Sequence, residues 1–192
     1  PESTFISGCR SNWCGAGGWR LGFLAVPSGM KDFMNSLKSL ASESYSTVNT
    51  PTQFAAVEAY KGDYSVYLNN TKSILKLVGN YVFNNLKSNK VLIHPPKGAF
   101  YLMPEFLNSK FSSSAEMCED ILNKTGVALL PGSDFGFKSN KMLARLSYTD
   151  FDGDLFLKNI DSSKKLDDDL VKKYAPNIVE GTNKLVKWSK TL

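Results

Sequence analysis

Residues 9–22 read Cys9-Arg10-Ser11-Asn12-Trp13-Cys14-Gly15-Ala16-Gly17-Gly18-Trp19-Arg20-Leu21-Gly22, and the fold turns on how this stretch is read. Immediately after it, Leu21 to Val26 is an apolar run ended by Pro27 and Gly29, which predicts a short buried strand. Phe33, Met34, Leu37, Leu40 and Ala41 then recur at helical spacing, predicting a helix from Met30 to about Ser42. Ser42 to Asn49 is polar and β-branched, a loop, and Pro51 suits the first turn of a second helix carrying Phe54 to Ala59. The longest predicted helix runs from Asp63 to about Asn89, with Gly79 as a weakening interior residue.

Beyond it the periods shorten. Val91 to Ile93 and Ala99 to Met103 read as strands separated by the turn Pro95-Pro96-Lys97-Gly98. A helix capped by Ser113 or Ser114, with Glu116 near its third position, runs to Lys124 and stops at Gly126. Val127 to Leu130 and Met142 to Tyr148 are further strands, and helices over Asp167 to Tyr174 and Asn177 to Lys190 close the chain. The pattern is an α+β unit of a few mixed strands packed on helices, preceded by one strand and two helices.

The totals narrow the function. With 192 residues, 42% of them hydrophobic, the chain can bury a core: one domain, or a small domain plus part of another. Its net charge of +5 comes from scattered single lysines and arginines, which read as a solvated surface and not as a nucleic-acid site. Cys9, Cys14 and Cys118 are an odd set without framework spacing, which favours a reducing compartment. His94, the single histidine, reads as a strand-end residue, so neither a zinc site nor a histidine-based triad is expected. Asp150-Phe151-Asp152-Gly153-Asp154 has its glycine too early for a calcium loop and Asp161 where glutamate would close it, so it reads as an acidic turn, and no metal is expected. No apolar run approaches the roughly 18 residues of a membrane span, and no secretory segment opens the chain. The expected setting is the cytosol or an organelle matrix. A chain that begins at Pro1, a few residues before the glycine-rich stretch, is expected to be cut from a longer polypeptide.

The opening stretch resembles the cofactor-lysine signature of the class I/II, fold-type-I aminotransferases, which use pyridoxal 5'-phosphate. In that signature a serine-lysine pair is followed, eight residues after the lysine, by an arginine in a Gly-Trp-Arg-Leu-Gly setting. Ser11 and Arg20 stand in register, and Asn12 stands where the Schiff-base lysine belongs. Pro96-Lys97-Gly98-Ala99-Phe100-Tyr101, the segment Gly126 to Gly136, and Ala144-Arg145-Leu146-Ser147-Tyr148 resemble the small domain of the same family.

The resemblance implies an α/β architecture in two parts. Residues 1–62 would be the end of the large cofactor-binding domain, and residues 63–192 a long bridging helix and the α+β small domain. It assigns Arg20 and Ser11 to the cofactor phosphate, which a guanidinium can fork, and Arg145 to the substrate α-carboxylate. Asn12 marks the lost lysine, and its amide is neither nucleophilic nor basic. The nearest lysine in sequence is Lys31, beyond the predicted strand. Family members are about twice this length, and their earlier half carries the ring-stacking aromatic and the acid that pairs with the ring nitrogen. The implied reaction moves an amino group from an amino acid to a 2-oxo acid in a dimer, with the segment Ser44 to Pro51 approaching the neighbouring subunit's site. This chain would be the C-terminal portion of such an enzyme, inactive by itself. The alternative is a non-catalytic module that pairs with an intact aminotransferase subunit.

Overall fold

The computed structural model describes residues 2–9, 11, 14–160 and 166–192, and the chain divides into two compact units, Pro1–Ser65 and Val66–Leu192. In the first, β1 (Ile6–Cys9) pairs antiparallel with β2 (Gly22–Ala25), Ile6 opposite Ala25 and Cys9 opposite Gly22. A 3-10 turn, Gly17–Trp19, lies in the connection. Helices α1 (Lys31–Ser44) and α2 (Thr50–Lys61) follow, within a few residues of their predicted bounds. Asn49 caps α2 by accepting from the Thr52 N–H at 3.2 Å, and Pro51 occupies the first turn, where its missing N–H costs nothing.

The predicted buried strand is corrected. β2 is shorter than Leu21–Val26, and every residue in it is exposed, Phe23 to 49%. Among the described residues of this unit none is buried. A two-stranded ribbon and two helices provide no second layer over the outer face of the strands, and such ribbons are marginal alone.

The second unit holds the core. Helix α3 (Ser65–Leu86) turns Ile74, Val78, Val82 and Leu86 inward. Gly79 has a packing reason: a Cβ there would stand 2.8 Å from Cζ of the buried Tyr148 ring. β3 (Val91–Leu92) and β4 (Tyr101–Leu102) do not pair with each other. β3 pairs with β5 (Glu105–Phe106), and the second sheet runs β4-β7-β6, with β6 at Leu130–Pro131 and β7 at Ala144–Ser147, all antiparallel. Strands this short carry no readable period, which is why β5 escapes sequence reading and the two predicted strands around it come out trimmed.

Helix α4 (Ser114–Thr125) starts as predicted: Ser113 Oγ accepts the Glu116 N–H at 3.2 Å. The reciprocal contact reaches one residue further upstream, since Glu116 accepts from the Ser112 N–H at 2.9 Å. Gly126, at φ 74, closes the helix by donating to the Leu122 carbonyl at 2.8 Å. The acidic turn is a helix start, with the Asp152 carboxylate accepting the Leu155 N–H at 2.9 Å to cap α5 (Gly153–Asn159). Asp161 lies outside the described residues. Helices α6 (Asp168–Tyr174) and α7 (Pro176–Ser189) complete the unit. Trp188 fastens α7 to α4: its indole N–H donates to Asp120 Oδ2 at 2.8 Å, and its ring lies edge-on to Phe106 at 5.3 Å. Among the described residues no helix is long and apolar enough to cross a membrane, and no three His, Cys, Asp or Glu side chains gather to hold a metal.

Candidate functional site

In the first unit the glycine-rich stretch folds into a tight turn that sets Arg20. Trp19 N–H donates to the Ala16 carbonyl at 3.1 Å, closing the 3-10 turn, and Arg20 follows it at φ 51, ψ 45. The left-handed region costs a non-glycine residue roughly 1–2 kcal/mol, and strain of this kind collects at ligand-holding positions. The guanidinium folds back so that Nη1 donates to the Gly17 carbonyl at 3.0 Å. Ser11 approaches the same glycine: a Cβ on Gly17 would lie 3.8 Å from Ser11 Cβ. The turn thus gathers Ser11 and Arg20 around Gly17. Asn12 and Trp13 lie outside the described residues.

Arg20 lines an open cleft of about 1030 Å³ together with Trp19, Phe23, Tyr45, Asn49 and Thr52. The far wall is the segment between α1 and α2, so the predicted loop over Ser42 to Asn49 becomes one side of the cleft, its first residues continuing α1. Asn49 is already committed to capping α2, which leaves Arg20 as the cationic donor of the wall. A guanidinium with one N–H tied to the backbone retains donors for an oxyanion, and its charge persists at any working pH.

In the second unit Arg145 sits on β7, where alternation buries Ala144 and Leu146 and turns Arg145 and Ser147 to the other face. Tyr101 of β4 pairs with Ser147, so it shares that face one step along from Arg145. Phe135 arrives from the 3-10 turn Gly132–Phe135, which follows β6. Both rings lie against the guanidinium, each centroid 4.5 Å from Cζ. Among the described residues no carboxylate is within 4 Å of Arg145, and its side chain makes no hydrogen bond. In the sequence Tyr101 and Phe135 stand only as members of longer motifs. The signal for them is tertiary, a diagonal cross-strand neighbour and a turn from a third segment.

Other titratable groups are occupied with structure. The Cys118 thiol, buried in α4, is pushed up to about 11, mainly by desolvation and secondarily by the Asp134 charge. Hydrogen bonds from Lys124 and then Trp188 hold Asp120 below the ordinary carboxylate value. His94 is exposed just after β3, and Lys31 is the first residue of α1.

The description aminotransferase class I and II matches residues 2–152. An aspartate aminotransferase of Bacillus sp. strain YM-2 is 34% identical over 137 residues, 68% of this chain and 33% of that protein. Among solved structures, an aromatic aminotransferase from Pyrococcus horikoshii OT3 superimposes with a TM-score of 0.72 at 23% identity, over 97% of this chain and 43% of that one. An alanine aminotransferase from Pyrococcus furiosus gives 0.72 at 21% identity, over 98% and 42%. The chain belongs to the class I and II aminotransferase family. It spans about a third of the length of the curated relatives it matches.

Proposed function

We propose that this chain is the C-terminal portion of a pyridoxal-phosphate-dependent amino-acid transaminase, working in the cytosol or an organelle matrix. Residues 1–62 belong to the large domain, and residues 63–192 form the bridging helix and small domain. By itself it does not transaminate, because position 12 is asparagine. The donors present fit the phosphate end of the cofactor: a guanidinium that lines the cleft, and a hydroxyl beside the glycine whose carbonyl that guanidinium bonds. The placing of Ser11 and Arg20 each against Gly17, with Arg20 on the cleft wall, is the observation that carries the reading.

Bound cofactor would supply the carbonyl that takes up an amino group and the ring that stabilises charge at the substrate's α-carbon. This chain's residues divide the remaining work. Arg20 forks the phosphate, Ser11 adds a hydroxyl donor, and Arg145 orients the substrate carboxylate. None of them replaces the amine, which must act as both nucleophile and proton carrier. Loss of positioned acid-base work alone costs about 10²–10⁴ in rate.

Borohydride trapping with pyridoxal phosphate, read by intact mass, tests this for the natural chain beside Asn12→Lys. A reduced pyridoxyl group on position 12 of the variant alone is the expected result. A group mapped to a single lysine of the natural chain would overturn the inactivity, and no site-specific group on either would remove the cofactor reading.

A second reading rests on a different observation. The first unit leaves Phe54 72%, Tyr45 66% and Leu40 64% exposed and buries none of its described residues. A module that pairs with an intact aminotransferase subunit would cover these side chains. A monomer at micromolar concentration that ignores an added intact relative, seen by analytical ultracentrifugation, would end that reading.

A further inference from the structure

We infer that Tyr101 and Phe135 are positioning residues that make Arg145 a receptor selective for planar carboxylates over tetrahedral oxyanions. The inference rests on the carboxylate-reading role proposed above for Arg145, and adds how that role is enforced.

The guanidinium is a flat cation with donors only in its plane. An arginine on a strand normally finds a carboxylate or a carbonyl, and this one has neither among the described residues. What it has is two ring contacts at 4.5 Å, from residues on different segments. The two rings come from β4 and from the turn after β6, and in the proposed arrangement they flank the group from different sides. Electron-rich ring faces at this distance attract the cation, and in the proposed arrangement they cover its faces and leave its N–H edge as the way in.

That arrangement discriminates by shape. A carboxylate is planar and meets the in-plane edge with two parallel hydrogen bonds. Phosphate and sulfate carry oxygens out of that plane, which would be driven toward negative ring faces. Arg145 is half-buried, and ring contacts that displace water around it would strengthen its hydrogen bonds in a lower local dielectric. Tyr101 and Phe135 are 36% and 39% exposed, so the opening between them is accessible to a small acid.

The frame behind the rings is rigid. Tyr101 is held by its pairing with Ser147 across β4 and β7. The Phe135 turn is pinned at its start, where Gly132 N–H donates to the Leu143 carbonyl at 2.7 Å. It is pinned at its end by the Gly136 N–H on the Ser133 carbonyl at 3.1 Å. Neither ring needs to touch substrate. Their proposed effect is on the orientation and pairing of Arg145.

The test is NMR of the Arg145 Nε–Hε group in the full chain, titrated separately with pyruvate and inorganic phosphate, with the Trp188 indole signal reporting that each variant is folded. The expected result is a saturable shift with pyruvate, at least about fivefold stronger than with phosphate, the scale of a partly desolvated cation–π contact. Phe135→Leu and Tyr101→Leu should each weaken pyruvate by about that factor, while Tyr101→Phe, which keeps the ring, restores it. If the natural chain shows no pyruvate shift, the carboxylate role of Arg145 fails and the inference with it. If pyruvate binds but the leucine variants bind equally, or phosphate competes on level terms, the aromatic clamp fails while Arg145 keeps its role. Phe135 is exposed enough that its variant should fold even if one at Tyr101 does not.

Discussion

Replacing Gly132 with alanine should be the most damaging single-methyl addition in the second unit after Gly79→Ala. A Cβ at this position would stand 2.9 Å from the Leu143 carbonyl oxygen and 3.0 Å from Leu143 Cβ. Both belong to a buried residue between β5 and β7 that cannot swing away. The same carbonyl accepts the Gly132 N–H at 2.7 Å, so any retreat of the backbone also lengthens that bond. Overpacking of this kind costs about 1–3 kcal/mol, and a weakened backbone hydrogen bond adds roughly 0.5–1 kcal/mol. Gly126→Ala is the control. There φ is +74 and nothing lies within 4 Å, so only backbone strain of about 1 kcal/mol applies. Urea unfolding followed through the Trp188 indole NMR signal should place Gly132→Ala below Gly126→Ala by about 1–2 kcal/mol, with m unchanged. The Arg145 Nε–Hε signal should move only in the former, because the turn carrying Phe135 starts at Gly132. Equal midpoints would show that the β6–β7 region relaxes freely, and the reasoning from close approach would be wrong.

Asp120→Asn keeps an acceptor for the Trp188 indole and removes the charge that Lys124 and Trp188 stabilise. The folded value of Asp120 lies below the ordinary 3.8, so its contribution is present above 3.8 and is lost as pH falls through the lowered value. The stability gap between natural chain and variant should therefore be full at neutral pH and close in strong acid, and a pH-independent gap would refute the assignment. Cys118, pushed up to about 11 by burial, should resist iodoacetamide at about pH 8 and react only at the rate at which the second unit opens, read by intact mass. Asp152→Ala should cost about 1 kcal/mol by uncapping α5, and a free-energy change within error would mean the acidic turn does not depend on that cap.

Long helices with a clear apolar stripe were legible from sequence: α1, α3, α4 and α7 fall within a few residues of prediction, because many turns average out local noise. The helix-end signals Pro51, Ser113 and Gly126 were legible too, since they act on their own neighbours, whereas Asn49, read only as the end of a loop, emerged as the α2 cap in the structure. Strand partners were not. β4 closes on β7, more than forty residues away, and a two-residue strand such as β4 carries no period that could name its partner. Burial of β2 was misjudged for a related reason. An apolar run states that a segment tends to be covered, and only the arrangement of other elements states whether this chain supplies the cover.

The same division holds for chemistry. Identity at positions 11, 12, 20 and 145 is a property of the sequence, and with it the family and the missing amine, because a side chain's functional group does not depend on where it is carried. Surroundings belong to the tertiary structure. Arg20 acquires its left-handed backbone and its bond to Gly17 only once the turn closes. Arg145 acquires Tyr101 and Phe135 only when β4, β7 and the turn after β6 assemble. Pairing energy falls off within a few ångströms, so what an arginine can bind is decided by neighbours that are distant along the chain.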